Sequence, residues 1–160
     1  MRHTCAAEVL IHQPPDAVWA VVADVTRVGE WSGECRGCTW VDGASGPVAG
    51  ARFVGRNRRG GLRWRRLNEI VVADAPRLLV WRTVPHGVYR DSVEWRLTLR
   101  ADQCGTRVTE FYRIDHIPRC MEWAISLFFA PHRDRTRDLR ADLERLAAIL
   151  EDRRAAPTSE

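Results

Sequence analysis

The sequence predicts an α+β fold: a seven-stranded, curved antiparallel sheet wrapped around one long C-terminal helix, with two short helices after the first strand. Three observations lead there. Helical spacing occurs only between residues 14 and 31 and again from about residue 121 to 153. Between those stretches, six segments alternate with a period of two. The connectors joining them are short and rich in Gly, Pro and Asp, which implies an antiparallel meander.

Thr4 to Ile11 reads as the first strand. Pro14-Pro15-Asp16 then opens a helix, with proline in the first turn and an acid at the positive end of the helix dipole. Ala17, Val18, Val21 and Val22 form its apolar stripe, and Thr26 to Trp31 suits a second short helix broken by Ser32-Gly33. The strand segments are Cys35–Asp42, Ala51–Arg58, Leu62–Ala73, Leu78–Val84, Val88–Arg100 and Gly105–Asp115. The strand Ser92 to Leu99 is the clearest, because its odd positions Val93, Trp95, Leu97 and Leu99 are apolar and the even ones polar. Phe53, Trp64, Leu79, Trp81 and Val108 fall on inward faces by the same argument. The final helix carries Met121, Ile125, Phe128 and Phe129, then Leu139, Leu143, Leu146 and Leu150 on one stripe. Pro131 is expected to kink or divide it.

A chain of 160 residues, 45% hydrophobic and 29% charged, suffices for one core without staples. Residues 1–154 are expected to form a single domain and 155–160 a frayed tail. No stretch of about 18 apolar residues exists and the first residues do not read as a secretory leader, so the expected location is cytoplasmic, without integral membrane association. All 25 basic residues are arginine, scattered among 21 acids for a net charge of +4. That pattern suggests coding bias rather than a nucleic-acid surface; only Arg56, Arg58, Arg59, Arg63, Arg65 and Arg66 cluster, around Gly60-Gly61.

Cys35 and Cys38 form a C-x-x-C without a second ligand pair to complete a zinc site. On an extended strand, residues three apart point to opposite faces. Two free, diverging thiols are therefore expected.

A sheet curved about one helix tends to leave an apolar cavity, and alternation turns several polar groups toward it. They are Asn57, Arg66, Asn68, Tyr89, Asp91, Glu110 and Tyr112. Glu110 stands out, because an inward carboxylate must find a partner or take up a proton. It either pairs with an inward arginine such as Arg66 and holds the sheet, or serves as a general acid or base. His86 and His116 sit at a turn and a strand end, where either could reach a cavity mouth. Trp31 is a core plug or a lid edge beside Glu34. No G-x-S-x-G, P-loop, G-x-G-x-x-G or H-E-x-x-H is present, so neither a metal nor another cofactor is expected.

From Val9 to about Leu150 the chain resembles the START-like SRPBCC (helix-grip) superfamily, and within it the polyketide cyclase/dehydrase and lipid-transport family. The resemblance rests on Pro14-Pro15-Asp16-Ala17-Val18-Trp19, on Asp24 to Ser32, on Gly50 to Asn57, on Trp95-Arg96-Leu97 and on Gly105 to Glu110. The family commonly has Pro after Trp-Ser where this chain has Gly33, a departure expected to loosen the loop beside the pocket. The resemblance implies a sheet gripping the terminal helix with an apolar ligand between them, and fold alone does not assign chemistry. Two readings stay open. One is a polyketide cyclase or aromatase-type enzyme that orients a flexible chain, with Arg66 or Tyr112 polarising a carbonyl and Glu110 or Asp91 moving a proton. The other is a non-catalytic carrier or sensor of a lipid-like molecule. In either case Trp31, Phe53, Asn57, Trp64, Trp81, Tyr89, Trp95 and Phe128 would contact the ligand, and the chain would work as a monomer or homodimer.

Overall fold

The computed structural model describes residues 4–87, 90–116 and 134–155. Strand β1 (Thr4–Ile11) leads into α1 (Pro15–Val22), a 3₁₀ turn (Val25–Arg27) and α2 (Val28–Trp31). Pro14 is extended, and its carbonyl accepts from the backbone of Ala17 and Val18 to start α1, whose Val18, Val21 and Val22 are buried. Asp24 Oδ1 accepts from the Thr26 backbone at 3.0 Å and so begins the 3₁₀ turn. Gly29 lets α2 press onto the sheet, because a Cβ there would lie 2.8 Å from the Arg36 carbonyl.

The other strands are β2 (Cys35–Val41), β3 (Arg52–Arg59), β4 (Leu62–Asp74), β5 (Leu78–Thr83), β6 (Ser92–Asp102) and β7 (Gly105–His116). They form one antiparallel seven-stranded sheet in the order β1-β7-β6-β5-β4-β3-β2. Consecutive strands are neighbours except β1, which the helices carry away from β2 and which β7 rejoins. Helix α3 (Thr136–Ala155) packs on β1. The predicted stripe of Leu139, Leu143, Leu146 and Leu150 is buried, each side chain contributing about 2 kcal/mol of apolar transfer as an upper figure. Among the described residues no helix is long and apolar enough to cross a membrane.

The structure departs from, or does not describe, three of the expected features. Residues 117–133, with Phe128 and Pro131 of the expected terminal helix, lie outside the described residues, as do Val88, Tyr89 and residues 156–160, and the described helix begins at Thr136. Strand β6 begins at Ser92 rather than Val88. The Val93 backbone donates to Thr83 Oγ1 (2.8 Å), the register shifts between Ser92 and Val93, and the carbonyl of Asp91 accepts from Arg66 instead of a ladder partner.

The third concerns the C-x-x-C, whose thiols do not diverge. The β2–β3 register slips between Cys35 and Gly37, so that Cys35 faces Asn57 while Gly37 faces Arg56. This bulge inserts one residue and returns Cys38 to the face of Cys35. Their sulfurs are 3.5 Å apart. Gly37 has φ +153°, and a Cβ there would lie 2.9 Å from the Arg56 guanidinium, so the bulge suits glycine.

Candidate functional site: a cavity between the sheet and the terminal helix

Alternation along the strands turns one row of aromatic rings inward. Trp40 meets Phe53 edge-on at 5.7 Å between centroids, and Phe53 meets Trp81 at 6.4 Å. Trp81 stacks on Trp95 at 6.2 Å, its cross-strand partner, and Trp95 meets Tyr112 at 4.8 Å. Phe53, Trp81, Trp95 and Tyr112 floor a cavity of about 160 Å³, with α2, Arg135 and α3 on its other side. An apolar cavity of roughly 150 Å³ accepts benzene, so the described space holds about one ring.

The polar groups of this cavity differ in how fully they are satisfied. Arg66 Nη1 donates to both oxygens of Asp91 at 2.7 and 2.9 Å, and Nη2 donates to the Asp91 carbonyl. This links β4 to the residue that precedes β6. Glu110 therefore does not take Arg66 as its partner, because that guanidinium fork is engaged by Asp91. Glu110 lies mid-strand between Ala7 of β1 and Leu97 of β6, 2% exposed, and its Oε2 has no hydrogen-bond partner among the described residues. Burial pushes its carboxyl up to about 8, the nearby Asp142 carboxylate adds to the rise, and Arg135 and Arg145 oppose it. Near neutral pH Glu110 is thus mainly a neutral acid. Burial also raises the Tyr112 phenol, against the pull of Arg135, so Tyr112 stays protonated.

Arg135 is buried where the chain enters α3. Its Nη2 donates to Glu34 Oε2 at 2.7 Å, and its guanidinium carbon lies 5.2 Å from the Trp95 ring centre and 5.1 Å from that of Tyr112. Its Nε has no partner among the described residues. Asp142, on the first turns of α3, accepts from the Gly33 backbone at 3.0 Å and from Arg145, which also donates to the Trp31 carbonyl at 2.7 Å. Burial raises the Asp142 carboxyl, and the Gly33 and Arg145 contacts limit the rise.

Gly33 consequently ties its loop to α3 rather than loosening it. A proline there would remove one of the two donors to Asp142, and even a bare Cβ would lie 2.8 Å from the Arg145 guanidinium. Gly33→Pro is expected to cost about 1–3 kcal/mol, read as a lower urea midpoint with an unchanged slope. A midpoint equal to the parent's would contradict the tie.

Of the residues predicted to form the site, Glu110, Tyr112, Asp91, Arg66, Trp31, Phe53, Asn57, Trp64, Trp81 and Trp95 all line this one cavity. Tyr89 and Phe128 lie outside the described residues. Trp31 is 1% exposed, a core plug that also forms cavity wall. His86 and His116 are exposed and are not among the cavity's lining residues.

Sequence reasoning missed Arg135, Asp142 and the inward pair of cysteines. Asp142 was detectable, since it stands three residues after Leu139 and four before Leu146, on the helix face that turns inward. Arg135 precedes the helix and belongs to no periodic pattern. The bulge left only Gly37 as a hint.

Residues 2–151 match the model of the family described as polyketide cyclase/dehydrase and lipid transport. Among solved structures, a polyketide-cyclase-like protein of Corynebacterium glutamicum is 30% identical, with 93% of this chain and 83% of that one aligned and a TM-score of 0.50. A Thermus thermophilus protein is 16% identical over 94% of this chain and 98% of its own, with a TM-score of 0.71. A Mesorhizobium loti protein is also 16% identical, over 94% and 97%, at 0.65. No curated protein matches the sequence. The aligned span reaches from β1 through nearly all of α3, and with it every described wall of the cavity, so the chain belongs to the polyketide cyclase/dehydrase and lipid transport family of the SRPBCC superfamily.

Proposed function

We propose that this chain binds a small hydrophobic carbonyl compound between sheet and helix and promotes its cyclisation or dehydration by general acid/base catalysis. The observation that carries the reading is convergence. A neutral buried acid (Glu110), a buried cation (Arg135) and a phenol (Tyr112) face one aromatic-walled cavity. A passive apolar container needs only one polar anchor. Three groups with separate proton and charge roles suit reaction at a carbonyl.

For a β-hydroxy ketone the roles divide as follows. Arg135 and Tyr112 hold the carbonyl oxygen and stabilise negative charge as the neighbouring C–H is broken. Glu110 gives its proton to the departing hydroxyl, which leaves as water. In the same step its other oxygen takes the proton from carbon, so Glu110 ends as it began. Arg66 and Asp91 satisfy each other and hold the wall. The volume suits one ring or the folding end of a longer chain.

Native mass spectrometry of the purified protein would detect a copurified hydrophobic molecule, and extraction would supply it for turnover assays. Glu110→Gln should keep binding and lose about 10²–10⁴-fold in turnover. In the parent, turnover should fall as pH rises through about 8, where Glu110 gives up its proton. Binding with no turnover by the parent would leave the carrier reading in its place, and undiminished turnover in Glu110→Gln would remove Glu110 from the chemistry.

A further inference from the structure

Cys35 and Cys38 take no part in the chemistry proposed above, yet both are free, both are buried, and both line the cavity. The bulge at Gly37 holds their sulfurs at 3.5 Å. A disulfide needs about 2.05 Å, so closing the gap requires roughly 1.5 Å of combined side-chain movement. A structural zinc site takes four ligands, and among the described residues no group of three or more His, Cys, Asp or Glu side chains is placed to hold a metal. The pair thus has the proximity for mutual oxidation but lacks the surroundings of a metal site.

We propose that Cys35 and Cys38 form a reversible dithiol/disulfide site in the cavity wall, oxidised by a small hydroperoxide that enters the cavity. Cys35 is the attacking sulfur. The hydrogen bond from Cys38 holds its thiol below the ordinary value in spite of burial, while that same shared proton, burial and the neighbouring sulfur hold Cys38 above it. The Cys35 thiolate attacks the terminal peroxide oxygen, the O–O bond breaks, and an alcohol (water, from hydrogen peroxide) leaves with the proton. The sulfur of Cys38 then attacks the Cys35 sulfenic acid, the S–O bond breaks, and a second water carries away the Cys38 proton. Two thiols lose two electrons in total, and the peroxide gains them. A disulfide across the bulge would stiffen β2 beside Asn57 and Phe53, and so couple oxidation to the shape of the ligand space. Any external dithiol reverses it by exchange.

The test uses the full chain, fully reduced, with one equivalent of hydrogen peroxide and rapid alkylation. Oxidation should lower the intact mass by about 2 Da. Trypsin cuts after Arg36, between the two cysteines. Segments 28–36 and 37–52 should therefore appear as one linked species without reductant and separate with dithiothreitol. In Cys38→Ser, dimedone should label Cys35. Peroxide consumed with Cys35 and Cys38 still separately alkylated, the exposed Cys104 having reacted instead, would overturn the proposal. An unlabelled Cys35 in Cys38→Ser would overturn the assigned order of attack. The wild-type digest decides the main point even if that variant folds poorly.

Discussion

Glu110→Gln should make the protein more stable than its parent at pH 9, by several kcal/mol, and nearly equal to it at pH 4. In the unfolded chain the carboxyl titrates at an ordinary value near 4.3. In the fold, burial and the neighbouring Asp142 carboxylate push it to about 8. Between those values the native state binds one more proton than the unfolded state, so stability falls as pH rises across that window. Below it the group is neutral in both states, so its titration contributes nothing. Above it the native state holds a carboxylate whose Oε2 lacks a hydrogen-bond partner among the described residues. A shift of this size corresponds to roughly 5 kcal/mol as an upper limit. Glutamine keeps the shape and removes the titration. Urea midpoints at intervals from pH 4 to 9 would show the parent declining and the variant flat, apart from the smaller share due to Asp142, whose carboxyl burial also raises. Parallel curves would mean that water or a counter-charge reaches Glu110, and the neutral-acid role would go with it.

A lone carboxylate on an inward face could be found by counting residues, because the period of two along β7 places Glu110 with Val108 and Tyr112. The same rule located the aromatic row, since Phe53, Trp81, Trp95 and Tyr112 each sit at an inward parity. What counting cannot supply is the partner. Arg66 and Glu110 share the inward face, yet Arg66 meets Asp91, which lies just before β6, where the ladder has not yet begun. That choice depends on how β4, β5 and β6 lie side by side, and strand pairing leaves no trace in alternation read one strand at a time. The cysteines illustrate the same limit more sharply. Periodicity assigned them opposite faces because it assumed a regular strand, and one inserted residue reverses the answer. The cation beside Glu110 lay hidden for another reason: Arg135 precedes its helix, so only the fold brings it over Trp95 and Tyr112.

Arg135→Met should alter three measurements together. It deprives Glu34 of its 2.7 Å partner, a pair with one buried and one partly exposed member, for which a loss of roughly 2 kcal/mol lies between the limits for surface and buried pairs. It removes a positive charge that restrains Glu110, so the pH at which stability stops falling should move upward from the parent's value of about 8. It also removes the charged donor proposed to hold the ligand oxygen, which should weaken binding by about 10-fold to 100-fold. Arg135→Lys separates these effects. Lysine restores the charge and should bring the Glu110 midpoint back toward 8. Its ammonium cannot lie flat against Trp95 and Tyr112 while donating sideways to Glu34, so binding should recover only in part. Midpoints from urea titrations across pH, set beside affinities for the copurified molecule, give both readouts for each variant. Suppose lysine restored affinity as fully as it restored the midpoint. Arg135 would then act as a point charge behind the wall, and Tyr112 alone would be left to hold the carbonyl oxygen.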